Sequence, residues 1–369
     1  MENNKMKIGI LTFHCAHNYG AVLQAYALQE YLKSLGHEVE FIKYEPEYLL
    51  EPYRVFPNIR KKQSLATVLS AIARSVLTIF YSIPRHYAFK KFISDKLIIS
   101  SKEVKTVEDI SGYDAYIVGS DQIWNLNITR GYDPVYWLGI KDKNALKISY
   151  AASISQNKIT EGQEEQVAKF LNNFDSISVR ETQAQELLQP LATKEIHTVL
   201  DPTLLVDKQV WDGLDLSRPI AEKYVLVYYV GYSPNIGRIA DNIAKEIGAK
   251  VITLVPYPTF RNRKGKNQTA TPIDFVRYFK HAEFVVTSSF HGTVFATIFN
   301  RPFYTVEINA LKGGSSTRMK SLLNALNLDS RLVDEASTPK HSLIDYTSTN
   351  RQLQNLRDSS QEFLINALK

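Results

Sequence analysis

Residues 7–44 read KIGILTFHCAHNYGAVLQAYALQEYLKSLGHEVEFIKY, and this stretch decides the fold. KIGILTF is a short apolar run that ends in a polar turn, HCAHNYG. AVLQAYALQEYLKSLG carries the apolar spacing of a helix closed by Gly36, and HEVEFIKY alternates as a strand does. Strand, helix and strand in that order make a βαβ unit, for which a parallel sheet with a right-handed crossover is expected.

The theme recurs outward from there. YDAYIVGSDQIW runs a buried strand into Gly119, and LKISYAASIS and FDSISVRE are two more strand-then-polar segments. HTVLDPTLLV reads as a strand stopped by Asp201 and Pro202. After DKQVWDGLDLSRPI the pattern restarts: KYVLVYYV as a strand, NIGRIADNIAKEIG as a helix, AKVITLVPY as a strand, TPIDFVRYFKHA as a helix and EFVVTSS as a further strand. A chain of 369 residues is too long for one comfortable core and suits two α/β domains. The expected organisation is an α/β domain over 1–210, a second over 211–345, and an amphipathic helix over 346–369 crossing back to the first. Two Rossmann-like domains facing a cleft are similar in layout to the glycosyltransferase-B type, an analogy of architecture only.

Composition narrows the class. Hydrophobic residues make up 44% and charged residues 22%, as in ordinary globular proteins. The net charge of +6 suits anionic substrates or an anionic membrane face. The basic residues are spread along the chain, which weighs against nucleic acid. A single cysteine, Cys15, excludes an intrachain disulfide and a cysteine-built zinc site, and points to a reducing, cytoplasmic setting. His14 and His17 flank it on a tight turn, where packing or capping is the commoner role, so no metal is expected. The first residues lack an apolar signal core, so secretion is not expected.

Residues 64–83, SLATVLSAIARSVLTIFYSI, belong to an apolar helical insertion expected over about 55–95. Arg74 at the centre and basic flanks on both sides argue against a membrane span. The same flanks are what peripheral contact with anionic lipid requires, through about residues 60–92 at the inner face of the membrane. Packing on the first domain is the alternative.

Candidate ligand residues gather in the loops after strands. Asn18 can cap the first helix, Tyr19 follows it, and Gly20 lets a ligand or another loop approach the backbone. In GSDQIWN, Gly119, Ser120, Asp121, Trp124 and Asn125 crowd polar and aromatic groups together; Trp124 offers a face for a sugar or a core anchor. Arg180, at the end of SISVRE, suits forked recognition of carboxylate or phosphate. Asp201 reads as a turn former before proline. In TSSFHGTVFATIF, Ser288, Ser289, His291 and Gly292 stand where a buried strand hands over to a helix. Open α/β sheets place ligands at such carboxyl ends. Residues 261–266, RNRKGK, form a basic loop that could close over an anion.

NYGAVLQAYAL, YDAYIVGSDQIWN, SYAASIS, SVRE, VLDPTLL and SSFHGTVFATIFNRPF occur in the order typical of the polysaccharide pyruvyl transferase family, which the chain resembles over about residues 7–333. The resemblance implies a fold similar to the glycosyltransferase-B type. It also implies transfer of the enolpyruvyl group of phosphoenolpyruvate to a sugar of a cell-surface polysaccharide or its lipid-linked precursor, usually as a pyruvate ketal. Arg180 matches the family arginine that grips phosphoenolpyruvate, and His291 the essential histidine of the second domain.

One departure stands out. Members of known activity resemble Ser-x-Arg-x-His in the second-domain motif, and this chain has Ser289 in place of the arginine. A donor carrying phosphate and carboxylate wants a second cation, for which Arg318 and Lys312 are the candidates. In the mechanism so implied, His291 is the general acid or a phosphate-binding cation, because imidazole titrates near neutral pH. Asp121 is a candidate base for the acceptor hydroxyl. No cofactor is required beyond the donor substrate. Two rivals stay open: a nucleotide-sugar glycosyltransferase, and a non-catalytic sugar-binding member of the family. The sequence also leaves open whether the chain forms a homo-oligomer.

Overall fold

The computed structural model describes residues 5–56, 65–142, 144–231, 233–259, 266–308 and 314–369, with side chains for all of these except 65–67 and 314–316. Lys312 and all of the basic loop before Lys266 lie outside the described residues.

Two parallel sheets organise the chain. The first contains β1 (Lys7–Leu11), β2 (Glu38–Tyr44), β3 (Ile99–Val104), β4 (Ala115–Val118), β5 (Leu146–Ala152), β6 (Ser176–Val179) and β7 (Ile196–Thr198). Their order is β3-β2-β1-β4-β5-β6-β7. The second contains β8 (Tyr224–Tyr228), β9 (Lys250–Leu254), β10 (Lys266–Asn267), β11 (Phe284–Thr287), β12 (Phe303–Glu307) and β13 (Leu332–Asp334). Their order is β10-β9-β8-β11-β12-β13. Each order reverses direction once, between β1 and β4 and between β8 and β11. Such switch points open a crevice beyond the carboxyl ends of the strands. The expected class, two Rossmann-like α/β domains, is the one observed.

Central strands are apolar on both faces because helices cover both. β4 is AYIV and β8 is YVLVY, every residue of each buried. The helix Tyr19–Ser34 is unusual in being buried on nearly every side, 13 of its 16 residues being inaccessible. It lies between the first sheet and the second domain, so its apolar residues serve two cores at once. Tyr19 stacks on Phe275 of the second domain at 4.6 Å, and Tyr26 packs on Trp211, which in turn meets Phe295. The helix ends as its sequence suggested: Gly36, just past the cap, takes φ +92°.

Between the sheets the chain forms two short helices, Pro202–Leu205 and Lys208–Asp212. The last helix, Tyr346–Ala367, begins on the second domain, where the Tyr346 hydroxyl donates to the Arg301 carbonyl. It returns to the first: the Leu200 amide donates to Ser360 Oγ at 3.0 Å, and Arg357 Nε donates to the Leu204 carbonyl at 3.0 Å.

The apolar insertion is a single helix, Leu65–Lys96, with Pro84 inside it. Its second half packs inward through Arg85, Phe89 and Phe92, while Leu69, Val76, Phe80 and Tyr87 stay exposed. Among the described residues no helix is long and apolar enough to cross a membrane.

Candidate functional site

The segments after β1, β2, β4, β8, β9 and β11 meet at one cleft between the domains, with a volume of about 400 Å³. The first domain contributes Asn18, Tyr53 and Asp121 to its walls, and the second contributes Ser288, His291 and Arg318.

On the first-domain side, Asn18 caps the Tyr19–Ser34 helix, accepting from the Gly20 and Ala21 amides at 2.9 and 3.3 Å. His291 seats directly against Gly20: a Cβ there would lie 2.0 Å from His291 Nδ1. Gly20 therefore does admit a close approach, but the group that approaches is the histidine of the other domain.

On the second-domain side, β11 hands over to the helix Phe290–Ile298 within two residues. Ser289 caps this helix, accepting from the Gly292 amide at 3.4 Å. Gly292 has no room for a side chain, since a Cβ would sit 2.1 Å from Thr287 Oγ1. Ser288 Oγ donates to the Val230 carbonyl at 3.1 Å, tying the loops after β8 and β11 together. His291 thus rides on the first turn of a helix, where free amides and the helix dipole favour an anion.

Asp201 joins the two halves. Its Oδ1 accepts from the Thr203 amide and hydroxyl at 3.0 and 2.6 Å, so that the expected turn former caps the short helix Pro202–Leu205. Its Oδ2 accepts from Arg180 Nη1 at 2.7 Å and from Ser120 Oγ at 3.2 Å. His291 Nε2 lies 3.7 Å from the same oxygen, within ion-pair reach. Burial alone would raise this carboxyl; His291, Arg180 and Thr203 outweigh it and hold Asp201 well below the usual carboxylate range. Arg180 and His291, far apart in the chain, thus converge on one oxygen atom. Asp201 as their meeting point is not legible in the sequence, because a turn-forming Asp-Pro is a sufficient reason for an aspartate.

Arg180 does not reach the cleft surface. Its side chain is only 1% exposed, and the Phe290 ring lies over its guanidinium at 4.5 Å. The expectation that it grips the donor directly is therefore not met in this geometry. Among the described residues its Nε and Nη2 make no hydrogen bond, although Asp121 Oδ1 stands 3.8 Å from Nη2. Burial opposes its charge, but Asp201, Asp121 and Glu181 hold its proton more tightly than usual.

Arg318 lines the cleft itself, its guanidinium 5.8 Å from the centre of the Phe290 ring. Burial and the charge of Arg180 push it down to about 10. A cation therefore stands in the wall of the cleft although Ser289 has replaced the motif arginine.

Several other candidates serve the scaffold. Trp124 is fully buried, stacked on Trp137 at 4.5 Å, and donates from Nε1 to the Tyr136 carbonyl at 2.9 Å. It offers no face to a sugar. Asn125 caps the short helix Leu126–Thr129, and Ser120 is fully buried. Gly119 takes φ +120°, and a Cβ there would meet the Tyr150 carbonyl oxygen at 2.0 Å. Tyr19 turns away from the cleft, donating to the Ala270 carbonyl at 2.8 Å. Asp121 does line the cleft, at φ 75°, a left-handed conformation that aspartate tolerates.

Tyr53 and Tyr257, overlooked in the sequence, form a stacked pair across the two domains at 5.7 Å and close one end of the cleft. Cys15 is buried, which pushes its thiol up to about 12 and removes it as a nucleophile. Burial likewise lowers His14 to about 4. Among the described residues no three His, Cys, Asp or Glu side chains gather as a metal site.

The chain matches no curated protein. In overall form it is similar to the glycosyltransferase SnogD from Streptomyces nogalater, at 10% identity over 98% of this chain and 96% of that one, with a TM-score of 0.45. It is also similar to UDP-GlcNAc 2-epimerase from Neisseria meningitidis bound to UDP-GlcNAc, at 10% identity over 98% and 94%, TM-score 0.43. A third likeness is to UDP-N-acetylglucosamine 2-epimerase from Rickettsia bellii, at 11% identity over 96% and 88%, TM-score 0.43. The sequence model of one family matches residues 18–309, a span that holds Asn18, Asp121, Arg180, Asp201 and His291, and on that match the chain belongs to the polysaccharide pyruvyl transferase family.

Proposed function

We propose that the cleft transfers the enolpyruvyl carbons of phosphoenolpyruvate to a sugar carrying two neighbouring hydroxyls, forming a cyclic pyruvate ketal. One observation carries this reading. Arg180 and His291, from different domains, share one Asp201 oxygen at 2.7 and 3.7 Å, beside a cleft whose wall holds a further cation, Arg318.

A proton delivered to the methylene carbon makes the central carbon electrophilic, and in this reading His291 delivers it. One sugar hydroxyl adds to that carbon and the C–O bond to phosphate breaks. The second hydroxyl then closes the ketal. Of the two hydroxyl protons, one ends on the new methyl carbon and the other on the released phosphate. Asp121, in the cleft wall, is the candidate to accept the first hydroxyl proton.

The cations divide the anionic work. Arg318 faces the donor, and Arg180 sets the charge of the layer beneath. Swinging Phe290 aside would expose the two unbonded nitrogens of Arg180 to the donor. Asp201 holds the two halves in register and offsets part of the positive charge.

Ligand-induced stabilisation tests the donor. Phosphoenolpyruvate at a hundredfold excess over its dissociation constant should stabilise the protein by about 2.7 kcal/mol, visible as a raised melting temperature. The Arg318→Gln variant should lose most of that shift. Stabilisation by nucleoside diphosphates and not by phosphoenolpyruvate would replace this reading with a glycosyltransferase.

A further inference from the structure

Beyond the stacked Tyr53 and Tyr257 lies a second chamber of about 270 Å³. Pro52, Tyr53 and Tyr257 line both it and the cleft, so the two spaces adjoin. The chamber's lining holds the arginines Arg54, Arg74 and Arg85 and the imidazoles of His17 and His86, with Ser75, Thr78 and Ser82 supplying hydroxyls. Among its described lining residues there is no carboxylate.

The surroundings behave as a positive pocket. Burial first, then the charges of His86, Arg85 and Lys90, hold the His17 imidazole down at about 3. His86 Nδ1 is buried without a hydrogen-bond partner among the described residues. Arg85 is committed to structure, donating to the Tyr19 hydroxyl and, at 2.9 Å, to the Pro256 carbonyl. Arg74 and Arg54 stand at the exposed mouth; Arg54 also pairs with Glu47.

Arginines, hydroxyls and an absence of acids are the chemistry that recognises phosphate. We propose that this chamber binds a phosphoryl or diphosphoryl group attached to the acceptor, holding it while the acceptor sugar crosses the tyrosine pair into the cleft. The proposal rests on the pyruvyl-transfer reading for the word acceptor; the anion site stands apart from it. Two sources share this chemistry, a soluble sugar phosphate and a lipid-linked one. The lipid source has support from the outer face of the Leu65–Lys96 helix, where Leu69, Ile72, Val76, Phe80, Ile83 and Tyr87 recur at helical spacing and are all exposed. Arg74 and Arg85 project from the opposite face of the same helix, so a helix lying on a bilayer would bring the chamber to headgroup depth.

Calorimetric titration of inorganic pyrophosphate into the full chain tests this. Wild type should show a binding event that Arg318→Gln keeps and that Arg54→Gln/Arg74→Gln weakens by about tenfold or more. Ser75→Glu, which puts a carboxylate on the chamber wall, should weaken the same event, and circular dichroism checks that each variant is folded. Identical isotherms for wild type and both chamber variants overturn the proposal. Should phosphoenolpyruvate bind no form while the chamber event persists, the donor reading falls and the anion site remains. Vesicles of phosphatidylcholine with and without a prenyl diphosphate separate the sources. Retention only on the doped vesicles, reduced in Arg54→Gln/Arg74→Gln, assigns a lipid-linked group; binding in solution alone assigns a soluble one.

Discussion

Replacing Gly20 with alanine should disable the site while sparing the fold. Gly20 does not need glycine for its backbone, since it is absent from the positive-φ positions and sits at the start of an ordinary helix. Its reason is space. The added Cβ would lie 2.0 Å from His291 Nδ1 and 2.5 Å from Cε1. That is roughly 1.5 Å short of van der Waals contact, so the imidazole must swing away.

Two stability effects nearly cancel. An off-rotamer histidine costs about 0.5–1.5 kcal/mol, and alanine regains up to about 1 kcal/mol of helix propensity. The net change should stay within about 1 kcal/mol, or a few degrees of melting temperature in a chain of this size. Activity has no such compensation. Displacing a reacting group by about 1 Å can cost about a hundredfold in rate. The assay is phosphate release from phosphoenolpyruvate with a sugar acceptor, beside a thermal melt and the imidazole resonances of His291 by NMR. Wild-type turnover with a shifted His291 resonance would refute the assignment of His291 to the reaction. An unshifted resonance would refute the contact itself.

Asp201→Asn should lower stability by about 3 kcal/mol, because it takes from the buried Arg180 guanidinium its one hydrogen-bonded carboxylate and leaves Asp121 at 3.8 Å as a weaker partner. The Asp201 carboxyl is held below its ordinary value, so its stabilisation is present above about pH 3.9 and is lost as pH falls further toward the folded-state value. The wild-type melt should therefore drop steeply in acid, and the variant should lack that component. Trp124→Ala should cost about 3–5 kcal/mol through the cavity it leaves. Any variant molecules that remain folded should keep the acceptor KM; a raised KM with an unchanged melt would return Trp124 to the cleft.

Local pattern carried much of the architecture. The βαβ opening, the restart after residue 211, and the strand-to-helix handover before His291 are all written in apolar spacing that survives folding. β3, with the polar sequence ISSKEV, and the three-residue β13 lie at sheet edges, where little apolar patterning is required, and went unread. The site divides the same way. His291, Asp121 and Ser288 line the cleft, and they were legible because strand ends reveal themselves. The hub at Asp201 was not legible, since its partners lie 21 and 90 residues away. Of the two roles open to Trp124, the core anchor is the one its stacking on Trp137 shows, and the polar residues beside it in sequence could not decide between them. The departure at Ser289 prompts a search for a cation elsewhere, and Arg318 lines the cleft wall.

The most direct measurement follows phosphate release and acceptor mass together, with phosphoenolpyruvate and a sugar phosphate bearing a free vicinal diol. Phosphate and pyruvate ketal should form in equal amounts, and His291→Gln should abolish both. Phosphate without ketal, or a ketal formed equally well by the variant, would contradict the account.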